Sequence, residues 1–286
     1  MRHVLLSFLL LIQALVAWAS TDSTEVHSGP WKPEVITADS ARTLPFQTLR
    51  EVNSNNSSLY EELVYTVRYG FIAAGEARLV TEPGPTYGGR STVRVVGTGR
   101  STGAFDWVFK VRDHYESHVD QAGLFPHRFI RSVREGGYRM ERDIAFEPSR
   151  RTATTTEKGR TRIQVLPDYC QDLVSAFHFA RHLPLDSVAV GEVVQIPTFL
   201  DGKVHQVRAR KTGEERIAVK AGEFWCWTFK PLVMKGRIWK DEDDLTVYVS
   251  ADQFRVPVLV KTNLVVGSVR LELISAFRTP RAPSPQ

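Results

Sequence analysis

The sequence predicts a mainly β chain, two antiparallel meanders joined by one α-helix that packs on the sheet. Three observations carry this. Hydrophobic residues alternate with period two from Leu59 onwards, turn signals recur between the alternating runs, and one stretch alone changes to helical period. The short spacings favour sequential antiparallel pairing, because a parallel return needs a crossover of a dozen residues or more.

Composition sets the outer bounds. Of 286 residues, 42% are hydrophobic and 24% charged, close to ordinary globular values. Wholesale disorder and collagen-like chains are thereby excluded, and the charged strands exclude a polytopic helical membrane protein.

Residues 1–19 read as a secretory signal peptide. Arg2 and His3 supply the charged start, Val4 to Val16 the apolar core, and Ala17-Trp18-Ala19 the small residues a signal peptidase reads. Residues 20–57 read as a flexible polar arm, a spacer or a loosely docked segment without periodicity, with Asn53-Ser-Asn-Asn-Ser-Ser58 at its end carrying two overlapping glycosylation sequons. The first β half follows over 58–166. Its leading strand places Leu63, Tyr65, Val67 and Tyr69 on one face and Val64, Thr66 and Arg68 on the other. Further strands are expected near 75–82, 91–99, 105–119, 125–134, 138–147, 150–157 and 160–166.

The connecting helix is expected over 167–184, with Asp168 as N-cap and Pro184 as stop. Tyr169, Leu173, Ala176, Phe177, Ala180 and Leu183 share its apolar side, and His178 and His182 lie on the side left to water or a ligand. The second β half spans 185–278, with strands near 192–200, 203–212, 214–220, 223–234, 245–251, 255–264 and 267–277. Asp201-Gly202 is a hairpin turn. Glu223 to Phe229 is apolar on both faces, which places that strand inside the sheet with both sides covered. Residues 279–286 are a proline-rich, disordered tail.

Chemistry is sparse. His114, Glu116, His118 and Asp120 share one face of a strand and are weak candidates for a metal site. Side chains on one strand face stand about 6–7 Å apart, too far for all four to converge, so a polar strand face is the simpler reading and no metal or cofactor is expected. His178 and His182 have a workable i, i+4 spacing but lack the glutamate that would activate water. There is no Gly-x-Ser-x-Gly elbow and no glycine-rich phosphate cradle, so no catalytic residue is named. The acidic run Asp241 to Asp244 lacks the spaced ligands of a calcium loop. Cys170 and Cys226 leave two arrangements open, a disulfide pinning helix to strand or two separately buried thiols.

Net charge is +5, carried by 27 arginines against 10 lysines. Residues 128–162 hold ten basic residues, which offer planar forks for phosphate or carboxylate groups, or pair with neighbouring Glu135, Glu141 and Asp143. In an exported chain the polyanions at hand are lipid headgroups and acidic glycans, so nucleic acid is not an expected partner.

Leu63-Val-Tyr-Thr-Val-Arg-Tyr-Gly70 with Ala74-Gly-Glu-Ala77, Trp107 to Pro126, Asp172-Leu-Val-Ser-Ala-Phe177, Ala221-Gly-Glu-Phe224, and Arg255-Val-Pro257 leading to Val266-Gly-Ser-Val269 together resemble an exported bacterial family, the domain of unknown function numbered 3108. The resemblance spans about residues 59–277. It implies a curved sheet or half-barrel in the bacterial envelope, similar in plan to the lipoprotein carriers of the periplasm, and no established site residues.

Three functional readings follow. The leading one is an exported, non-catalytic envelope protein, periplasmic or secreted, with no membrane span after cleavage. Its curved sheet would shelter an apolar ligand or lipid, with Trp225 and Trp227 lining the interior and nearby arginines meeting an anionic head. An envelope scaffold that holds a protein partner is the alternative. A hydrolase with a site assembled from distant strands is the second.

Overall fold

The computed structural model describes residues 32–52, 60–232, 244–264 and 267–280. The signal peptide, the sequons, Trp239, most of the acidic run and nearly all of the tail lie outside the described residues.

Fifteen strands form one antiparallel sheet. In chain order they are β1 (Val35–Ile36), β2 (Tyr60–Tyr69), β3 (Ile72–Pro83), β4 (Thr92–Ser101), β5 (Arg112–Asp120), β6 (Pro126–Glu135), β7 (Tyr138–Glu147), β8 (Thr152–Glu157), β9 (Arg160–Val165), β10 (Val193–Leu200), β11 (Lys203–Val219), β12 (Gly222–Pro231), β13 (Leu245–Ser250), β14 (Pro257–Asn263) and β15 (Ser268–Thr279). Among the described residues three α-helices accompany them, α1 (Ala38–Thr43), α2 (Gly103–Val108) and α3 (Leu173–Ala180). Strands β2 to β9 form one meander and β10 to β15 another, and the two meet where β2 pairs with β15.

The sheet rolls on itself. Phe199 on β10 meets Phe146 on β7 edge to face, with ring centroids 6.3 Å apart, although the two strands lie far apart in pairing order. The β10–β11 turn is the expected Asp201-Gly202, both residues with positive φ (48° and 77°), as a two-residue hairpin requires. Asp201 accepts from Arg131 and Arg142, and Gln164 donates to the Gly202 carbonyl, so this turn is tied to β6, β7 and β9.

Helix α3 lies across the roll and touches β4 and β5 on one side and β10 on the other. The main core packs around it and contains Leu63, Tyr65, Tyr115, Phe129, Phe199 and Leu273, all buried. Each such side chain contributes about 1.5–3 kcal/mol on burial. Strand pleat sorts β5 as expected, with Tyr115 and Val119 in the core.

Three expectations need correction. The helix runs only over 173–180, because Asp172, not Asp168, is its N-cap and Tyr169 has φ 53°, outside the right-handed helical region. Residues 103–108 form α2 rather than strand, so Trp107 lies in a short helix and is 94% exposed. The two strands expected over 203–220 are one, β11, with a register shift between Lys211 and Gly213. Of the two arrangements open to the cysteines, the separate thiols are found rather than the disulfide: Cys170 and Cys226 are both free and buried. Cys170 belongs to the main core, whereas Cys226 packs with Ile217, Tyr248, Val258 and Leu259 in a separate cluster, on the strand face opposite Trp227.

Candidate functional site: an apolar cavity beneath the helix

The site begins with the seat of α3. Asp172 accepts from the Val174 and Ser175 amides at 2.7 and 2.8 Å, and the Ser175 hydroxyl accepts from the Asp172 amide, a reciprocal capping arrangement. Ser117 on β5 donates to the other carboxylate oxygen at 2.6 Å. Burial pushes the Asp172 carboxyl up to about 6 against the pull of these hydrogen bonds.

So held, α3 turns Leu173, Ala176, Phe177 and Ala180 towards β10–β14. Between them lies a cavity of about 170 Å³, whose walls include Ile196, Val207, Phe229 and Val249. An apolar hollow of this size suits a small apolar group. Arg181 and Arg255 stand at its margin. Arg181 is already committed to Glu61, at 2.6 and 2.9 Å, and to the Phe254 carbonyl. Arg255 donates to the Arg181 carbonyl and towards Asp186. The arginines therefore border the cavity mainly with their apolar stems.

The two tryptophans expected to line the interior part company. Trp227 is buried and packs with Leu185 and Phe229, with Lys211 Nζ 5.2 Å from its ring centre. Trp225 is 54% exposed and donates from its indole to Glu214 at 3.2 Å. Phe229, not either tryptophan, belongs to the cavity wall.

His114, Glu116 and His118 do converge, on one another. Glu116 meets His118 Nε2 at 2.8 Å, His114 Nε2 at 3.1 Å and Arg94 at 2.6 Å, and His118 Nδ1 contacts the Tyr87 hydroxyl at 2.5 Å. Arg94 first, then the histidines, holds the Glu116 carboxyl down at about 2 against burial. Asp120 turns elsewhere, to a bidentate Arg90 and to His127. Among the described residues no group of three or more His, Cys, Asp or Glu side chains is placed to hold a metal.

His178, expected at the surface, is buried with both ring nitrogens unpartnered. Burial pushes its pKa well below the usual imidazole value, so it sits neutral in the core. The arginine run is largely paired: Arg128 with Asp143, Arg131 with Asp201, Arg142 with Glu157 and Asp201, and Arg150 with Glu147. The cavity wall from β10, β11 and β13 escaped sequence reasoning, since nothing in those strands marks which apolar face a helix from elsewhere will leave uncovered.

Comparisons with known proteins give the fold's surroundings. A β-barrel-like protein of the DUF1849 family from Brucella abortus aligns with 81% of this chain and 100% of its own at 11% identity and TM-score 0.48. A candidate exported protein of YmcC-like fold from Bacteroides fragilis aligns with 80% of this chain and 100% of its own at 9% identity and TM-score 0.34. A candidate lipoprotein from Parabacteroides distasonis aligns with 81% and 100% at 8% identity and TM-score 0.33. No curated protein matches. The model of the family "Protein of unknown function (DUF3108)" matches residues 64–274, and the chain belongs to that family.

Proposed function

We propose that this protein is an exported, non-catalytic envelope component that holds a neutral apolar group in the cavity beneath α3. The cavity itself carries the reading: its wall is built from Leu173, Phe177, Ile196, Val207, Phe229 and Val249, and the bordering arginines are engaged with other partners. Export, with cleavage after Ala19 and a periplasmic destination, rests on the charged, apolar and Ala-x-Ala segments of residues 1–19.

Native mass spectrometry of the purified protein, with solvent extraction of bound lipid, tests the ligand. Copurifying apolar material that is displaced in an Ala176→Phe variant, which fills the cavity, supports the proposal. A protein that carries nothing and takes up no added apolar probe overturns it.

A further inference from the structure

Most large apolar side chains of the described residues are inside, but four that are not gather at one end of the sheet. Phe71 is 86% exposed, Trp107 94%, Val108 78% and Ile72 44%. Phe71 lies in the turn from β2 into β3 and Ile72 opens β3, and Trp107 and Val108 lie in α2, which packs against β3. The Thr102 amide donates to the Ala74 carbonyl at 3.1 Å, and Gly75 pairs with Ser101, so the two exposed segments are neighbours. Exposed apolar residues clustered in this way mark an interaction surface.

The rim of this patch is basic. Arg68 donates to the Phe71 carbonyl at 2.7 Å and faces Arg270 directly across β2 and β15. Arg100 faces Arg112 across β4 and β5, on either side of α2, and Lys110 is exposed between them. Like charges placed opposite one another in a sheet repel. Among the described residues, Glu76 offsets Arg100 at 3.1 Å and Asp106 offsets Arg112 at 2.7 and 3.0 Å. The single exposed bond from Arg100 to Glu76 is weak and readily exchanged for another anion, whereas Asp106 holds Arg112 through two.

Beside α2 the outer face of β3–β6 carries an open groove of about 690 Å³, walled by Arg78, Arg100, Arg112, His114 and Arg134 with Glu76 and the buried Asp113. That volume lies in the range of ligand sites.

We propose that this end of the protein docks on a membrane surface rich in anionic phospholipid, with Phe71, Ile72, Trp107 and Val108 entering the interface and a headgroup phosphate held in the arginine groove. Tryptophan and phenylalanine favour that boundary, and neighbouring cations add electrostatic attraction to anionic headgroups. Among the described residues nothing apolar covers the patch, and its basic rim gives the complementarity that commits it to an anionic lipid surface. The proposal does not depend on the cavity beneath α3.

Flotation of the full chain with vesicles tests it, comparing phosphatidylcholine alone with phosphatidylcholine doped with phosphatidylglycerol. Binding to the doped vesicles is expected, with a blue shift in tryptophan emission that a Trp107→Phe variant loses. A Phe71→Ser, Trp107→Ser variant should bind about tenfold more weakly or worse. Arg100→Gln with Lys110→Gln should lose the preference for phosphatidylglycerol and the salt dependence. All these positions are exposed, and thermal melts confirm folding. Equal binding of wild type and the Phe71/Trp107 variant overturns the proposal. So does glycerol phosphate binding in solution without vesicle binding, which would make the groove a soluble phosphoester site. A dimer that Trp107→Ser dissolves would overturn it too, by assigning the patch to a second copy.

Discussion

Glu61 on β2 receives Arg181, the residue that ends α3, through two hydrogen bonds of 2.6 and 2.9 Å, and Arg278 on β15 at 2.7 Å. One buried carboxylate thus joins the helix to both strands of the seam between the two meanders. Burial raises its pKa, but Arg181 and Arg278 together bring it below the usual carboxylate range.

Glu61→Gln should therefore destabilise the fold by about 3–5 kcal/mol, because it leaves two cations facing each other without their shared anion. Urea denaturation at neutral pH measures this. Adding Arg181→Met should recover part of the loss, and the double-mutant cycle reports the coupling.

Asp172 gives a pH signature of opposite sign. Its folded pKa of about 6 lies above the ordinary aspartate value, so the folded state keeps a proton that the unfolded chain releases. The corresponding stability is fully present below about pH 4 and is lost as pH rises to about 6, amounting to about 3 kcal/mol. Asp172→Asn keeps a good N-cap and should flatten stability across that window. Denaturation midpoints at intervals from pH 4 to 7 show whether the slope disappears.

Both cysteines should resist thiol reagents in the native protein. Burial raises the Cys226 thiol to about 12 and Cys170 higher still, so neither offers thiolate at neutral pH. Ellman's reagent should label neither in buffer and both in guanidinium without reductant. Quantitative labelling only after reduction would restore the disulfide.

Trp225 and Trp227 separate cleanly by substitution. Trp227→Ala should cost about 3–5 kcal/mol, since its ring fills space against Leu185 and Phe229. Trp225→Ala, at the surface, should change stability by about 0.5 kcal/mol or less. Thermal unfolding of the two variants side by side is sufficient.

The strands were legible because a half-buried strand writes its pleat directly into alternation, as at Leu63, Tyr65 and Val67. Residues 103–108 were not, since Ala104, Phe105, Trp107 and Val108 satisfy a strand pattern as well as one helical turn. The sequence pointed to Asp168 as the start of α3, but Asp172 caps it, and its second carboxylate oxygen is held by Ser117, far off in the chain. His178 was misplaced for a related reason. A helical wheel assigns its polar side to water, but a helix inside a rolled sheet is covered on both sides, by β4 and β5 as well as by β10. The cavity was illegible for the same cause, being set by how far α3 stands from strands it does not adjoin in sequence.

The pairing of β2 with β15 bears on how the chain folds. Every other strand contact except that of β1 with β9 is between strands adjacent in the chain. Two hairpin stacks can therefore grow independently, while β2 waits with one edge bare until the last strand arrives. The Glu61–Arg278 contact spans 217 residues. Loop-closure entropy makes such distant pairing slow. A chain truncated before Ser268 keeps nearly all its hairpins yet exposes the long edge of β2, a template for aggregation.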